Sequence, residues 1–112
     1  MTAWKVRLSK KSEQDFESIL QWTYEYFGAR QTNTYEVTLK SALGTLLTGP
    51  NVLGSKPRAE IGLDVWSLHV ARGGRKGRHF LLYRAVAATR TIEVLRILHD
   101  SMDIAAQLTS ED

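Results

Sequence analysis

The sequence contains no cysteine. That excludes disulfides, thiolate-held metals and a cysteine nucleophile. Long apolar runs are missing as well, so no helix is expected to span a bilayer. The N-terminus, Met1-Thr2-Ala3-Trp4-Lys5, turns polar at once and lacks the apolar stretch of a secretory signal. These absences together predict a cytoplasmic chain with no membrane partner. Glycine is concentrated in Arg72-Gly73-Gly74-Arg75-Lys76-Gly77-Arg78. This run has neither the dinucleotide nor the phosphate-loop spacing. No Gly-x-Ser-x-Gly nucleophile elbow occurs. There is no internal repeat, linker or low-complexity segment.

What is present is enough for one hydrophobic core. The chain has 112 residues, 43% hydrophobic and 24% charged, with a net charge of +3. We read it as a single domain over residues 1–112. The charge is partitioned. From Gly54 to Arg84 seven cations (Lys56, Arg58, Arg72, Arg75, Lys76, Arg78 and Arg84) face only Glu60 and Asp64, a net +5. Ser9 to Gly28 carries −2, and the tail from Asp100 onward carries −4. An acidic partner is therefore expected at the middle third.

Periodicity supplies the elements. Trp4 to Leu8 alternates like a half-buried strand. Ser9 or Ser12 is placed to cap a helix, and Asp15 to reach back to its first turn. Phe16, Ile19, Leu20, Thr23 and Phe27 follow at helical spacing, and Gly28 supplies a stop. Tyr35, Leu39, Ala42, Leu43, Leu46 and Leu47 form a second helical stripe, ended by Gly49-Pro50. A short link at Gly28 to Arg30 predicts a helical hairpin. Asn51 to Asp64 reads as a loop. Val65–Val70, Arg78–Val86 and Thr91–His99 read as strands joined by short turns, the second of them central. The tail from Asp100 to Leu108 has room for a helical turn or two. The expected fold is α+β: a β-α-α-β-β-β two-layer sandwich, with an antiparallel sheet packed on the N-terminal helical hairpin.

Two groups of residues are candidates for binding. Arg72, Arg75, Lys76 and Arg78 crowd a hairpin tip, where they can contact phosphates or acidic side chains, or simply keep a turn solvated. Arg84, Arg96 and His99 lie on strands, which position side chains well. A ribonuclease needs a base, an acid and cations for the phosphorane. His99 with Arg84 and Arg96 would supply these, assisted by Glu60 or Lys56. The bland alternative is that His99 bonds Asp100 or backbone while the arginines cover apolar surface. His69, His79 and His99 lie on three different strand segments without metal-ligand spacing, and no metal or cofactor is expected. Trp22, Tyr24, Tyr26 and Phe27 point to several faces of their helix. They suit a core and a protein interface, or a base-stacking platform if exposed.

The runs Gly62–Leu68, His79–Arg84 and Ile92–Asp103 resemble the RelE/ParE toxin superfamily, and most of all its ParE branch. The ending Leu95-Arg96-Ile97-Leu98-His99-Asp100-Ser101-Met102-Asp103 carries most of the likeness. The resemblance implies the toxin of a type II toxin–antitoxin system, neutralised by a ParD-like antitoxin in a hetero-oligomer. ParE-like toxins poison DNA gyrase without catalysis of their own or sequence-specific nucleic-acid binding. RelE-like relatives are ribosome-dependent mRNA endoribonucleases, commonly with a tyrosine near the C-terminus. Here no tyrosine follows Tyr83, and Met102 and Asp103 stand near that place. The resemblance therefore favours gyrase inhibition, with the endoribonuclease as the alternative.

Overall fold

A computed structural model describes residues 3–101. The chain opens with β1 (Lys5–Leu8) and enters α1 (Lys10–Thr45). Ser9 joins the two. Its amide donates to Val94 O at 3.0 Å, its hydroxyl donates to Leu95 O at 3.0 Å, and its Oγ accepts the Ser12 amide at 3.1 Å. One residue thus caps the helix and pins it to the sheet. Asp15 does not reach back to the first turn as expected. It points to Arg96, and Glu13 is the acid of the first turn.

The helical stretch is broken at Gly28, whose φ of 85° and ψ of −178° are essentially reserved for glycine. A straight helix of 36 residues would run about 54 Å, yet the longest dimension of the molecule is 41 Å. The two arms fold back on one another, so that Phe16 and Glu17 of one line a shallow concavity with Lys40 and Leu43 of the other. The expected hairpin is present, turning on a single residue. A short 3-10 turn, Leu46–Thr48, follows α1 and ends at Gly49.

The remaining strands are β2 (Lys56–Pro57), β3 (Val65–His69), β4 (His79–Val86) and β5 (Thr91–His99). They form one sheet in the order β1-β5-β4-β3-β2. The two-residue β2 lies inside the segment read from sequence as loop. β2 to β5 are antiparallel, as expected, but β1 pairs with β5 in parallel, so the sheet is mixed. Tight turns dictate the directions of β3 to β5. β1 reaches the sheet only through the helical hairpin, which imposes no antiparallel pairing.

The core lies between the helices and the sheet. Leu39 and Ala42 of the second arm and Leu46 of the 3-10 turn pack with Leu68, Leu81, Tyr83, Ile92, Val94 and Ile97. Each buried leucine, isoleucine or valine stabilises by roughly 1.5–3 kcal/mol. Phe80, Leu82 and Leu98 are buried outside this cluster, as the middle strands of a sheet require. The simple alternation expected along β5 fails at one place. Leu82 faces Arg96 and Tyr83 faces Val94, leaving Leu95 as a bulge. From Met102 onward the tail lies outside the described residues, including most of the segment expected to form a helical turn. Among the described residues no helix is long and apolar enough to cross a membrane.

Candidate functional site

A cleft of about 780 Å³ lies where the helical hairpin meets the β3–β4 loop. One wall is helical: Ile19, Trp22, Phe27 and Tyr35. The other comes from Lys76, Arg78, His79 and His99. Phe27 fits the helical stripe that predicts core, yet it is 63% exposed, and Trp22 is 54% exposed. Their rings lie against each other at 5.8 Å, and Trp22 also meets Tyr26 at 4.8 Å. The hairpin therefore presents an aromatic cluster at the rim.

The floor is a hydrogen-bonded chain. The Tyr35 hydroxyl accepts the Arg78 amide at 3.1 Å and is hydrogen-bonded to His79 Nδ1 at 2.6 Å. His79 and His99 are directly opposed across β4 and β5, with rings edge-to-face at 5.3 Å. The His99 Nδ1 accepts the Ser101 amide at 3.1 Å and its hydroxyl at 2.7 Å, which places its ring proton on Nε2. Burial, and after it the neighbouring His99, push the His79 pKa from 6.5 down to about 4. His79 is thus neutral at physiological pH. Burial likewise raises the Tyr35 pKa.

Asp100 closes the same end of the sheet. It accepts from His69 Nε2 at 3.0 Å and from Arg78 Nε at 3.2 Å. The His69 hydrogen bond, supported by Arg78, holds its carboxyl below the usual value. Gly77 permits the close approach of loop and helix. A Cβ there would stand 2.6 Å from Val70 Cγ2 and 3.1 Å from the Tyr35 hydroxyl.

The sequence candidates are distributed unevenly. Lys76, Arg78 and His99 line the cleft. Arg75 is exposed on the tip. Arg72 donates to Leu53 O at 2.6 Å, tying the tip to the 51–54 loop. Arg84 pairs with Glu93 at 2.6 Å. Its cross-strand position lies six residues from His99 along β5, or roughly 20 Å. Arg96 is only 9% exposed. It holds Asp15 through Nε at 2.7 Å and Nη2 at 3.0 Å, and the Ile97 amide donates to the same carboxylate at 2.9 Å. Arg84, Arg96 and His99 are not brought together. Glu60 pairs with Arg58, and Lys56 sits exposed on the edge strand β2. Sequence reasoning missed Tyr35 and His79 as site residues. Their only signal is the strand register that sets His79 beside His99.

Comparison with known proteins completes the description. No curated protein sequence matches the chain. Solved structures of other proteins share its fold, three of them described next. A chain of the chromosomal ParDE toxin–antitoxin system from P. aeruginosa superposes with a TM-score of 0.70 at 16% identity, covering 86% of this chain and 95% of its own. A chain of the RelBE2 toxin–antitoxin complex from Mycobacterium tuberculosis gives 0.57 at 24% identity, covering 88% and 93%. A YoeB/ParE toxin from Agrobacterium tumefaciens gives 0.50 at 19% identity, covering 85% and 96%. At these identities the likeness is one of fold. The sequence itself matches the family model for the ParE toxin of type II toxin–antitoxin system, parDE, over residues 6–104, and the chain belongs to that family.

Proposed function

We propose that the chain is a cytoplasmic toxin that inhibits DNA gyrase by binding it, and that a ParD-like antitoxin neutralises it in a hetero-oligomer. The observation that carries this reading is the dispersal of the nuclease candidates. Arg84 is engaged by Glu93, Arg96 by Asp15, and His99 lies at the far end of β5 from Arg84. A phosphorane clamp needs its cations within a few ångströms of the acid and base. Family membership and the solved toxin–antitoxin chains of the same fold support the antitoxin. The basic β3–β4 loop, with Arg72, Arg75, Lys76 and Arg78, supplies a surface for acidic partners.

The purified chain is expected to inhibit gyrase supercoiling and to leave cleaved DNA complexes. Unchanged supercoiling at molar excess would refute the proposal. One observation favours the endoribonuclease as a second reading: Tyr35, His79 and His99 stand beside Lys76 and Arg78 in one cleft. That reading requires mRNA cleavage on translating ribosomes, abolished by His99→Ala. Absence of cleavage removes it. Normal growth of a host expressing the chain alone would remove both.

A further inference from the structure

We infer that the cleft between the helical hairpin and the β3–β4 loop is a receptor for an acidic protein segment in which an apolar or aromatic side chain adjoins a carboxylate. This deepens the reading given above, resting on it only for the protein nature of the partner.

The chemistry of the cleft sets both halves of the ligand. Ile19, Trp22 and Phe27 make one wall apolar, and two of them are exposed aromatic rings. Solvated aromatic clusters of this kind are favoured anchors in protein interfaces. The opposite wall is polar in a specific way. The His99 Nδ1 accepts the Ser101 amide, so its Nε2 carries a proton. His99 lines the cleft, and among the described residues that Nε2–H has no hydrogen-bond partner. Lys76 lines the cleft with it, as does Arg78, whose Nε is held by Asp100. An N–H donor beside two cations suits a carboxylate.

The test is a fluorescence anisotropy titration of the full chain at pH 7.5. The probe is a short fluorescein-labelled peptide of glutamates around a central leucine–tryptophan pair. Comparison probes carry lysine for glutamate, or serine for the central pair, and an oligouridylate of matched charge is included. The acidic apolar peptide should bind at least about tenfold more tightly than each comparison probe. Trp22→Ala and Lys76→Glu should each weaken it by about tenfold. Both side chains are exposed, so neither change empties the core; a thermal melt verifies this. Lys5→Glu, on the distant edge strand β1, should leave binding unchanged and controls for net charge. Equal binding of the lysine or serine probe, tighter binding of the oligouridylate, or indifference to both cleft variants would overturn the inference. Gyrase supercoiling measured on the same preparations separates the two readings. A chain that inhibits gyrase but ignores the peptide refutes the cleft alone. A chain that binds the peptide but spares gyrase refutes the gyrase reading alone.

Discussion

His79 makes folding stability depend on pH in a defined window. Its pKa is about 4 in the folded chain against an ordinary value of 6.5. Between these values the unfolded chain binds a proton that the folded chain refuses. Stability is therefore full above pH 6.5 and is lost as pH falls toward 4. At face value the loss between pH 7 and pH 5 is about 2 kcal/mol. The ring keeps some access to solvent, and screening reduces this to about 1 kcal/mol. For a chain of this size that corresponds to roughly 4 °C in Tm. The matched variant is His79→Asn, whose side-chain amide takes the place of Nδ1 and can still hydrogen-bond the Tyr35 hydroxyl. Urea denaturation of both proteins at pH 7, 6 and 5, at constant ionic strength, gives a difference of differences that cancels the other histidines. The wild type should lose about 1 kcal/mol more than the variant. Asp100 does not intrude, because a carboxyl with a lowered pKa gives its full stabilisation above its ordinary value of 3.8 and loses it only as pH falls further. Parallel stability curves for the two proteins would refute the argument. So would a wild type that gains stability on acidification.

Asp15→Ala removes the acceptor of three hydrogen bonds from Arg96 and Ile97 and should cost about 3 kcal/mol in urea denaturation. Gly28→Ala meets no neighbouring atom, so any loss is backbone strain; about 1–3 kcal/mol is expected from the change in Tm. Gly77→Ala should displace Tyr35 and alter the His79 and His99 ring resonances in NMR spectra, while unchanged spectra would contradict the close approach described here. Tyr83→Phe leaves Pro50 O without its 2.6 Å donor and should cost about 1–2 kcal/mol.

The fold was legible because its signals are local and redundant. Thr91 to His99 alternates over a whole strand and is one. Arg78-His79 into Val86 is apolar on both faces, as a middle strand must be. Gly28 marks the one residue where the helical arms part. The errors occur where a single long-range contact overrules a local rule. Asp15 obeys the capping pattern in sequence, yet the pairing of β1 stops at Val94 and leaves the Ile97 amide on an unfilled edge. A carboxylate one helical turn into α1 is the nearest acceptor, and a buried arginine on the same strand makes the bond bidentate. The parallel direction of β1 was illegible for a related reason, since no turn connects it to its neighbour.

The site was less legible than the fold, and the cause is register. A strand residue's neighbours depend on pairing, and a bulge of one residue changes them. Simple alternation along β5 puts Arg96 with Ile92 and Val94, beside the core. The bulge at Leu95 instead separates Arg96 from that pattern and hands it to Asp15. Arg84 and His99 look close when both are counted as strand cations, but pairing with Glu93 places Arg84 at the other end of β5. The same register that disperses those three assembles a different set. His79 falls opposite His99, and Gly77 admits Tyr35 to the pair. Residue type alone ranked His79 no higher than His69. Only the cross-strand partner distinguishes a cleft-lining ring from the ring that tethers Asp100. In a small α+β domain, side-chain chemistry therefore identifies functional candidates in sets, and β-sheet pairing selects the members that act together.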